Sequence, residues 1–488
     1  MNFAQALRLL PPPSRPPATL PRFPAENGGG KGEGIAFVGS GGKTTGLFQL
    51  ARQLPPPVIV TATAHLHVGQ TKLADSHWVA EKPGDLAGLD EKLREVTLIT
   101  GPAEGERTTG LDESSINWLR EVCKNHALPL LIEADGARQH PLKAPAEHEP
   151  PIPEFVELVV VVAGLSALGK PLTKKYVHRI EHFKKLAQLA DKRADESAYD
   201  EMITPRMVVG VLAHPEGGLK NIPETARRVA LLNQADTPEL QSIGGKMAQE
   251  LLAEFDAVLV GTLEGSRIQT FEKTAGIILA AGESKRFGQP KQILEYRGQP
   301  FVRNVAQAAL TAGLSPVIVV TGAHAAQVEA ALQDLPVKIA HNPNWQSGQS
   351  SSIRVGLQSL SLPYPTPPLL SPVRGEKGRA AGGRVRKREV GSAIFLLADQ
   401  PQVTPTVMRA LVEQHTLNLD PVIAPLVAGR RANPVLFDRV TFPELMALSG
   451  DVGGRALLSK YSPTYLPWHD ESLLVDVDIP DDLERLNR

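Results

Sequence analysis

Residues 279–294 read LAAGESKRFGQPKQIL. An apolar run, Ala275 to Ala281, stops at Gly282, and the polar loop beyond it carries Lys285, Arg286 and Lys291 against one acid, Glu283. A buried strand that empties into a glycine-containing cationic loop is how an α/β protein cradles phosphate. Gly282 lets the backbone approach. Arg286 offers a planar fork for phosphate oxygens, and Lys291 a compact point charge. Nucleotidyl transfer needs such a cradle, a divalent metal, and an acceptor phosphate in line with the α-phosphorus. The metal calls for carboxylates at strand ends. Asp399 directly follows the apolar stretch Ala393 to Ala398. Asp476 and Asp478 alternate with Val475, Val477 and Ile479, so they share one face of an extended segment. Oxygen ligands of this kind suit Mg²⁺. Taken singly, each feature has a plainer reading: a strand-end Asp as a cap or turn former, a Gly–Lys loop as an ordinary loop.

A second phosphate-loop pattern lies near the start of the chain. Ile35 to Val38 runs into Gly39-Ser40-Gly41-Gly42-Lys43-Thr44-Thr45, followed by a helical stretch to Leu54. Here Lys43 would neutralise phosphate and the Thr44 hydroxyl would face Mg²⁺, with ATP or GTP as the nucleotide. The usual pattern has a glycine five residues before Gly42, where this chain has Phe37, so the loop is a variant. Leu128 to Ile132 delivers Glu133 and Asp135, acids placed to position a metal or water; Asp135-Gly136 also reads as a simple turn. Asn233-Gln234-Ala235-Asp236 is similar to the base-reading loop of GTPases, with Gln234 in place of lysine.

These residues need scaffolds. Apolar stretches alternate with helical ones: Ile35 to Val38, Val58 to Ala62, Leu128 to Glu133, Leu158 to Ala163, Met207 to Leu212 and Ala257 to Val260. A second series runs Ala275 to Ala281, Pro316 to Thr321, Val337 to Ala340, Ala393 to Ala398 and Val422 to Pro425. Each series reads as strands of a mostly parallel sheet flanked by helices, giving two α/β domains over 32–267 and 273–488. Residues 1–31 read as a flexible Pro/Gly-rich leader, Glu264 to Thr274 as a connector, and 362–390, rich in Pro, Gly and Arg, as a disordered surface insertion.

Composition removes several function classes. Lys+Arg at 52 against Asp+Glu at 53 gives a net charge of −1, which argues against a nucleic-acid or membrane-surface binder. A single cysteine, Cys123, rules out an internal disulfide, fits a reducing cytoplasm, and reads as a packing residue. The N-terminus lacks the apolar core of a secretion signal, and no run approaches the roughly 20 apolar residues that span a bilayer. His65 and His67 alternate, and His140 and His148 flank a proline-rich loop, but no third ligand is marked by spacing, so surface or loop histidines are the simpler reading.

In combination, LAAGESKRFGQPK resembles the signature of the MobA-like nucleotidyltransferases, and within them the molybdenum cofactor cytidylyltransferases. Further segments match: Asn342-Pro343-Asn344-Trp345 with Gly348 and Ser350-Ser351-Ser352-Ile353-Arg354, Asp399-Gln400-Pro401, Asn433-Pro434-Val435, Gly450-Asp451-Val452-Gly453-Gly454-Arg455, and Asp476-Val477-Asp478. Ala280-Ala281-Gly282 is the cytidylyl spelling. The resemblance implies transfer of CMP from CTP to molybdenum-bound molybdopterin. It implies Asp399 and Asp478 as the Mg²⁺ ligands and Arg286 and Lys291 on the phosphates. Leu279, Ala280, Ala281, Gly282, Ser284 and Ser351 would lie about the nucleotide. Ala432 stands where the family often has glycine. Residues from Gly32 to about Leu263 resemble the YqeC-type accessory proteins of selenium- or molybdenum-dependent hydroxylases. This match rests on GSGGKTT at 39–45, Glu133-Ala134-Asp135-Gly136-Ala137, Pro141 to Pro145 with His148-Glu149-Pro150, and Gly164 to Leu172. It implies a nucleotide-binding role in maturing a molybdenum hydroxylase client. Two other readings stand beside this one: a nucleotidyltransferase using GTP or a sugar 1-phosphate, and a nucleotide-switched chaperone for cofactor insertion.

Overall fold

Alternate residues of Gly34–Gly39 enter opposite apolar clusters, Ile35 and Phe37 one, Ala36 and Val38 the other. A strand buried on both faces belongs inside a helix-covered parallel sheet, and the computed structural model shows that arrangement. It describes residues 1–10, 34–136, 139–190, 202–265, 267–284, 289–360 and 390–475. They fall into two units, Met1–Phe271 and Glu272–Arg488.

The first unit is built on a nine-stranded sheet. Its strands are β1 Gly34–Gly39, β2 Val58–Ala62, β3 Ser76–Val79, β4 Val96–Thr100, β5 Leu130–Glu133, β6 Leu158–Gly164, β7 Arg227–Asn233, β8 Ala257–Thr262 and β9 Arg267–Glu272. They lie in the order β9-β8-β7-β6-β1-β5-β2-β4-β3, and the ladders from β8 through to β3 are parallel. Helix Lys43–Gln53 covers one face through Leu47 and Leu50, and helix Glu113–His126 the other through Ile116, Leu119 and Cys123. Cys123 is a packing residue, as its helical position suggested, and burial pushes its thiol up to about 12. From β1 the chain goes to one side of the sheet, and from β6 to the other. A crevice opens between strand ends at such a reversal, and the Gly39–Thr45 loop sits there.

Three expectations are corrected. Met207–Leu212 is not a strand but part of helix Pro205–Ala213. Its β-branched residues suggested a strand, yet Thr204 caps the Met207 N–H at 3.3 Å, Pro205 fixes the first turn, and Met207, Val208, Val211 and Leu212 form a helical buried stripe. The sheet position beside β6 is filled by β7 instead. The stretch assigned as connector holds edge strand β9. The first ten residues are no flexible leader: Phe3–Ala6 forms a short helix capped by Asn2, and Phe3, Ala4, Ala6 and Leu7 are buried. Phe3 meets Phe37 edge to face at 6.1 Å between centroids, and the Ala4 N–H donates to Gln53 Oε1 at 2.8 Å. The rest of the assigned leader (11–31) and most of the assigned insertion (362–389) lie outside the described residues.

The second unit carries β10 Thr274–Ala280, β11 Val317–Thr321, β12 Lys338–His341, β13 Ser392–Leu397, β14 Val422–Val427, β15 Arg430–Arg431, β16 Val435–Asp438 and β17 Thr464–Trp468. Seven follow the order β12-β11-β10-β13-β16-β14-β15, with β17 beside β14. From β12 to β13 the ladders are parallel, whereas β16 runs antiparallel to both β13 and β14. Ala275 and Ile277 face one apolar cluster, Ile278 and Ala280 the other. The chain leaves β10 towards β11 and reaches β13 on the opposite side, so the reversal falls between β10 and β13.

Candidate functional site

Each unit places a polar cleft at its reversal. In the first, β1 ends at Gly39, whose φ of +93° and close approach to β6 exclude a side chain: a Cβ there would lie 2.2 Å from Val162 O. Gly41, at φ +82°, is pressed equally hard against Gly164 and Pro141. The loop is pinned by Ser40 N–H to Val162 O (2.8 Å), Gly41 N–H to His140 O (3.1 Å) and Asn233 Nδ2–H to Gly41 O (2.8 Å). Asn233 also accepts from Leu263 N–H at 3.1 Å, so it holds the loop's shape. Gln234 accepts from Ser166 Oγ at 2.6 Å.

The predicted acids and cations meet here. Lys43 Nζ donates to Gly39 O at 2.7 Å and stands 3.1 Å from Asp135 Oδ1 and 3.9 Å from Glu133 Oε1. The approach to Asp135 Oδ1 is an ion pair out of hydrogen-bonding alignment, so that buried oxygen makes no hydrogen bond. Asp135 Oδ2 accepts from Gly39 N–H at 3.0 Å and pairs with Lys143 at 2.7 Å. Thr44 Oγ1 donates to Glu133 Oε2 at 2.8 Å. Burial drives the Glu133 carboxyl above its ordinary range, against the pull of Lys43 and Thr44. An ion chain, Lys43–Asp135–Lys143–Glu149–Arg179, leads from the buried loop lysine out to the partly exposed Arg179; Arg179 grips Glu149 with both arms at 2.8 and 2.9 Å. Burial alone would raise Glu149, but Arg179 and Lys143 bring it down to about 2. The Arg179 end of this chain escaped sequence reasoning. Above the loop lies a cleft of about 460 Å³ lined by Gly41, Gly42, Lys43, Thr44, Thr45 and Glu133, and also by His65, His67 and Arg107. Thr44 Oγ1 beside Glu133 is a pair of hard oxygen donors of the kind that Mg²⁺ takes.

In the second unit, Leu279 of β10 pairs with Leu397 of β13, so Ala281-Gly282 and Asp399 emerge side by side at the strand ends. They line a cleft of about 840 Å³ with Leu279, Ser284, Lys291, Ser352 and Asp451. Ser284 Oγ receives the Lys291 N–H at 3.0 Å, and Gln292 Nε2 donates to Gly282 O at 2.8 Å, which folds the loop back on itself. Of the residues assigned to the nucleotide, two are placed differently. Ala280 is buried beneath the cleft. Ser351 is turned inward: its hydroxyl donates to Gly348 O and accepts from Asn342 Nδ2, both at 2.8 Å, while its neighbour Ser352 reaches the cleft. Arg286 and Asp478 lie outside the described residues.

No group of three or more His, Cys, Asp or Glu that could hold a metal appears among the described residues. Asp399 and Asp451 both line this cleft. That suits Mg²⁺, which takes one or two protein carboxylates and draws its other ligands from phosphates and water. Asp451 was not foreseen as a cleft acid. Contiguous with this space, and sharing Leu279, Gln349, Leu397 and Asp451, is a cleft of about 590 Å³ lined by Arg431, Asn433 and Arg455 over an apolar floor that includes Phe395 and Phe437. Burial, with Arg455 beside it, lowers the Arg431 guanidinium from its ordinary value.

Comparison with known proteins divides the chain in the same way. A family model described as YqeC protein matches residues 35–181, and one described as MobA-like NTP transferase domain matches residues 276–464. The protein YqeC of Escherichia coli K12, itself uncharacterised, is 30% identical over 47% of this chain and 87% of its own length. Nicotine blue oxidoreductase of Paenarthrobacter nicotinovorans is 29% identical over 43% of this chain and 95% of its own length. A probable molybdenum cofactor guanylyltransferase of Bacillus cereus strain Q1 is 26% identical over 33% of this chain and 64% of its own length.

Proposed function

Since the chain belongs to the YqeC family and carries a MobA-like NTP transferase domain, we propose that it transfers CMP from CTP to molybdenum-bound molybdopterin, releasing pyrophosphate. Similarity to a molybdenum cofactor guanylyltransferase supports the acceptor class, and the Ala280-Ala281 pair supports cytosine over guanine. The observation that carries the reading is the pairing of β10 with β13, which sets a glycine turn and a carboxylate at adjacent strand ends in one cleft.

The nucleotide lies over Leu279, Ala281 and Gly282. Lys291 faces its phosphates, and the family resemblance assigns Arg286 to them as well. Asp399 and Asp478 would hold a magnesium ion that screens triphosphate charge. The pterin sits in the neighbouring cleft, the flat faces of its rings on the Phe395 and Phe437 side and its phosphate drawn by Arg431 and Arg455. That phosphate is already ionised, so no side chain has to act as nucleophile or base: its oxygen bonds to the α-phosphorus as the bond to the leaving pyrophosphate breaks. The N-terminal cleft takes ATP or GTP and serves delivery to a molybdenum hydroxylase client. The cytoplasm is the proposed site of action, and among the described residues no helix is long and apolar enough to cross a membrane.

Asp399→Ala tests this reading. With CTP, Mg²⁺ and molybdenum-loaded pterin, its pyrophosphate release should fall by at least about 10²-fold, the scale of losing a main electrostatic contact in the transition state. Undiminished release would sink the assignment. Pyrophosphate is a readout that oxidoreductase chemistry, the named activity of one relative, does not give.

A further inference from the structure

His65 and His67 line the same cavity as Lys43 and Thr44. Their neutral rings are held in opposite tautomers. His65 Nδ1 lies 3.1 Å from the Thr108 carbonyl, which can only accept, so Nδ1 carries the hydrogen and Nε2 keeps its lone pair. His67 Nδ1 accepts from the Gly69 N–H at 3.0 Å, so its Nε2 carries the hydrogen. One ring brings a base to the cavity and the other a donor. His67 stands opposite Arg107 across an antiparallel ladder, and directly opposed residues present their side chains on one face. Gln70 ties this rim to the phosphate loop: its Oε1 accepts from His67 N–H at 2.9 Å, and its Nε2 donates to Thr44 Oγ1 at 3.1 Å.

We infer that the N-terminal unit is a phosphotransferase, in which His65 is the base for a hydroxyl on a small anionic acceptor whose phosphate or carboxylate is held by His67 and Arg107. The inference rests on the reading that the Gly39–Thr45 loop holds a nucleoside triphosphate. In the step, the bond from the acceptor oxygen to the γ-phosphorus forms as the bond from the γ-phosphorus to the β–γ bridging oxygen breaks. The hydroxyl proton passes to His65 Nε2, and the nucleoside diphosphate leaves with the bonding pair. His65 is the catalytic residue. Gln70 positions the rim over Thr44, so nucleotide and acceptor share one cavity.

The test uses the full chain, γ-labelled ATP or GTP, and two probes, glycerol 3-phosphate and glycerate, one phosphate-bearing and one carboxylate-bearing alcohol. The wild type is expected to move label onto at least one of them. His65→Gln should slow transfer by about 10²-fold or more, the usual weight of a general base, with nucleotide affinity unchanged. Arg107→Ala should raise the KM of the probe by about tenfold, the weight of a charge-assisted contact, with a smaller change in kcat. Transfer to neither probe, or an undiminished rate in His65→Gln, would overturn the phosphotransferase. Lys43→Ala separates the premise: if it binds fluorescent nucleotide as tightly as the wild type, the nucleotide reading itself fails.

Discussion

Lys143 is the residue through which the acids behind the N-terminal loop are held together. It joins Asp135 at 2.7 Å and Glu149 at 2.9 Å, with its side chain 2% exposed. Lys143→Met should destabilise the first unit by about 3–5 kcal/mol, because it leaves buried carboxylates uncompensated; chemical denaturation measures this. Glu149 adds a pH signature. Its folded value of about 2 lies below the ordinary 4.5, so its contribution is fully present above about pH 4.5 and is lost as pH falls towards 2. Glu149→Gln should lose that acid-side dependence, read as denaturation midpoints that no longer drop across this window. The placing of the glycine loops, Glu133, Asp135 and Asp399 at strand ends was legible in the sequence because each adjoins an apolar run. The grip of Arg179 on Glu149 and the facing of His67 by Arg107 were not, because folding brings those partners together from 30 and 40 positions apart.

Elements were legible where burial on both faces writes a continuous apolar run. β1, β5, β6, β10 and β13 are of this kind, and they are the strands that position the sites. Met207–Leu212 shows where that signal misleads: a short apolar run fits strand or helix equally, and here the Thr204-Pro205 start decides for helix. Thr204→Ala should cost about 1 kcal/mol, the weight of a lost N-cap. The N-terminal Phe3–Ala6 turn was hidden because four residues are too few to show a period. Phe3 is 1% exposed against Phe37, directly under the strand that feeds the phosphate loop. Phe3→Ala should cost about 3–5 kcal/mol by leaving a cavity in that core. A denaturation midpoint equal to the wild type's would contradict the packed terminus.

At the scale of the whole molecule, the described residues form a reversal-point cleft in each unit, opening where a central parallel strand runs into a glycine-containing loop. Each unit has its own pair of apolar clusters, so ligands should stabilise them separately. A nucleotide at about 100 times its Kd adds about 2.7 kcal/mol to the unit that binds it. CTP with Mg²⁺ should therefore raise one calorimetric transition and leave the other in place. Cytidylyl transfer at the Asp399 cleft is tested by pyrophosphate release from the full chain with molybdenum-loaded pterin, compared across CTP, GTP and ATP. Release is expected with CTP, dependent on Mg²⁺ and on the pterin, and far less with the purine nucleotides. Preference for GTP, or release that ignores the pterin, would contradict it.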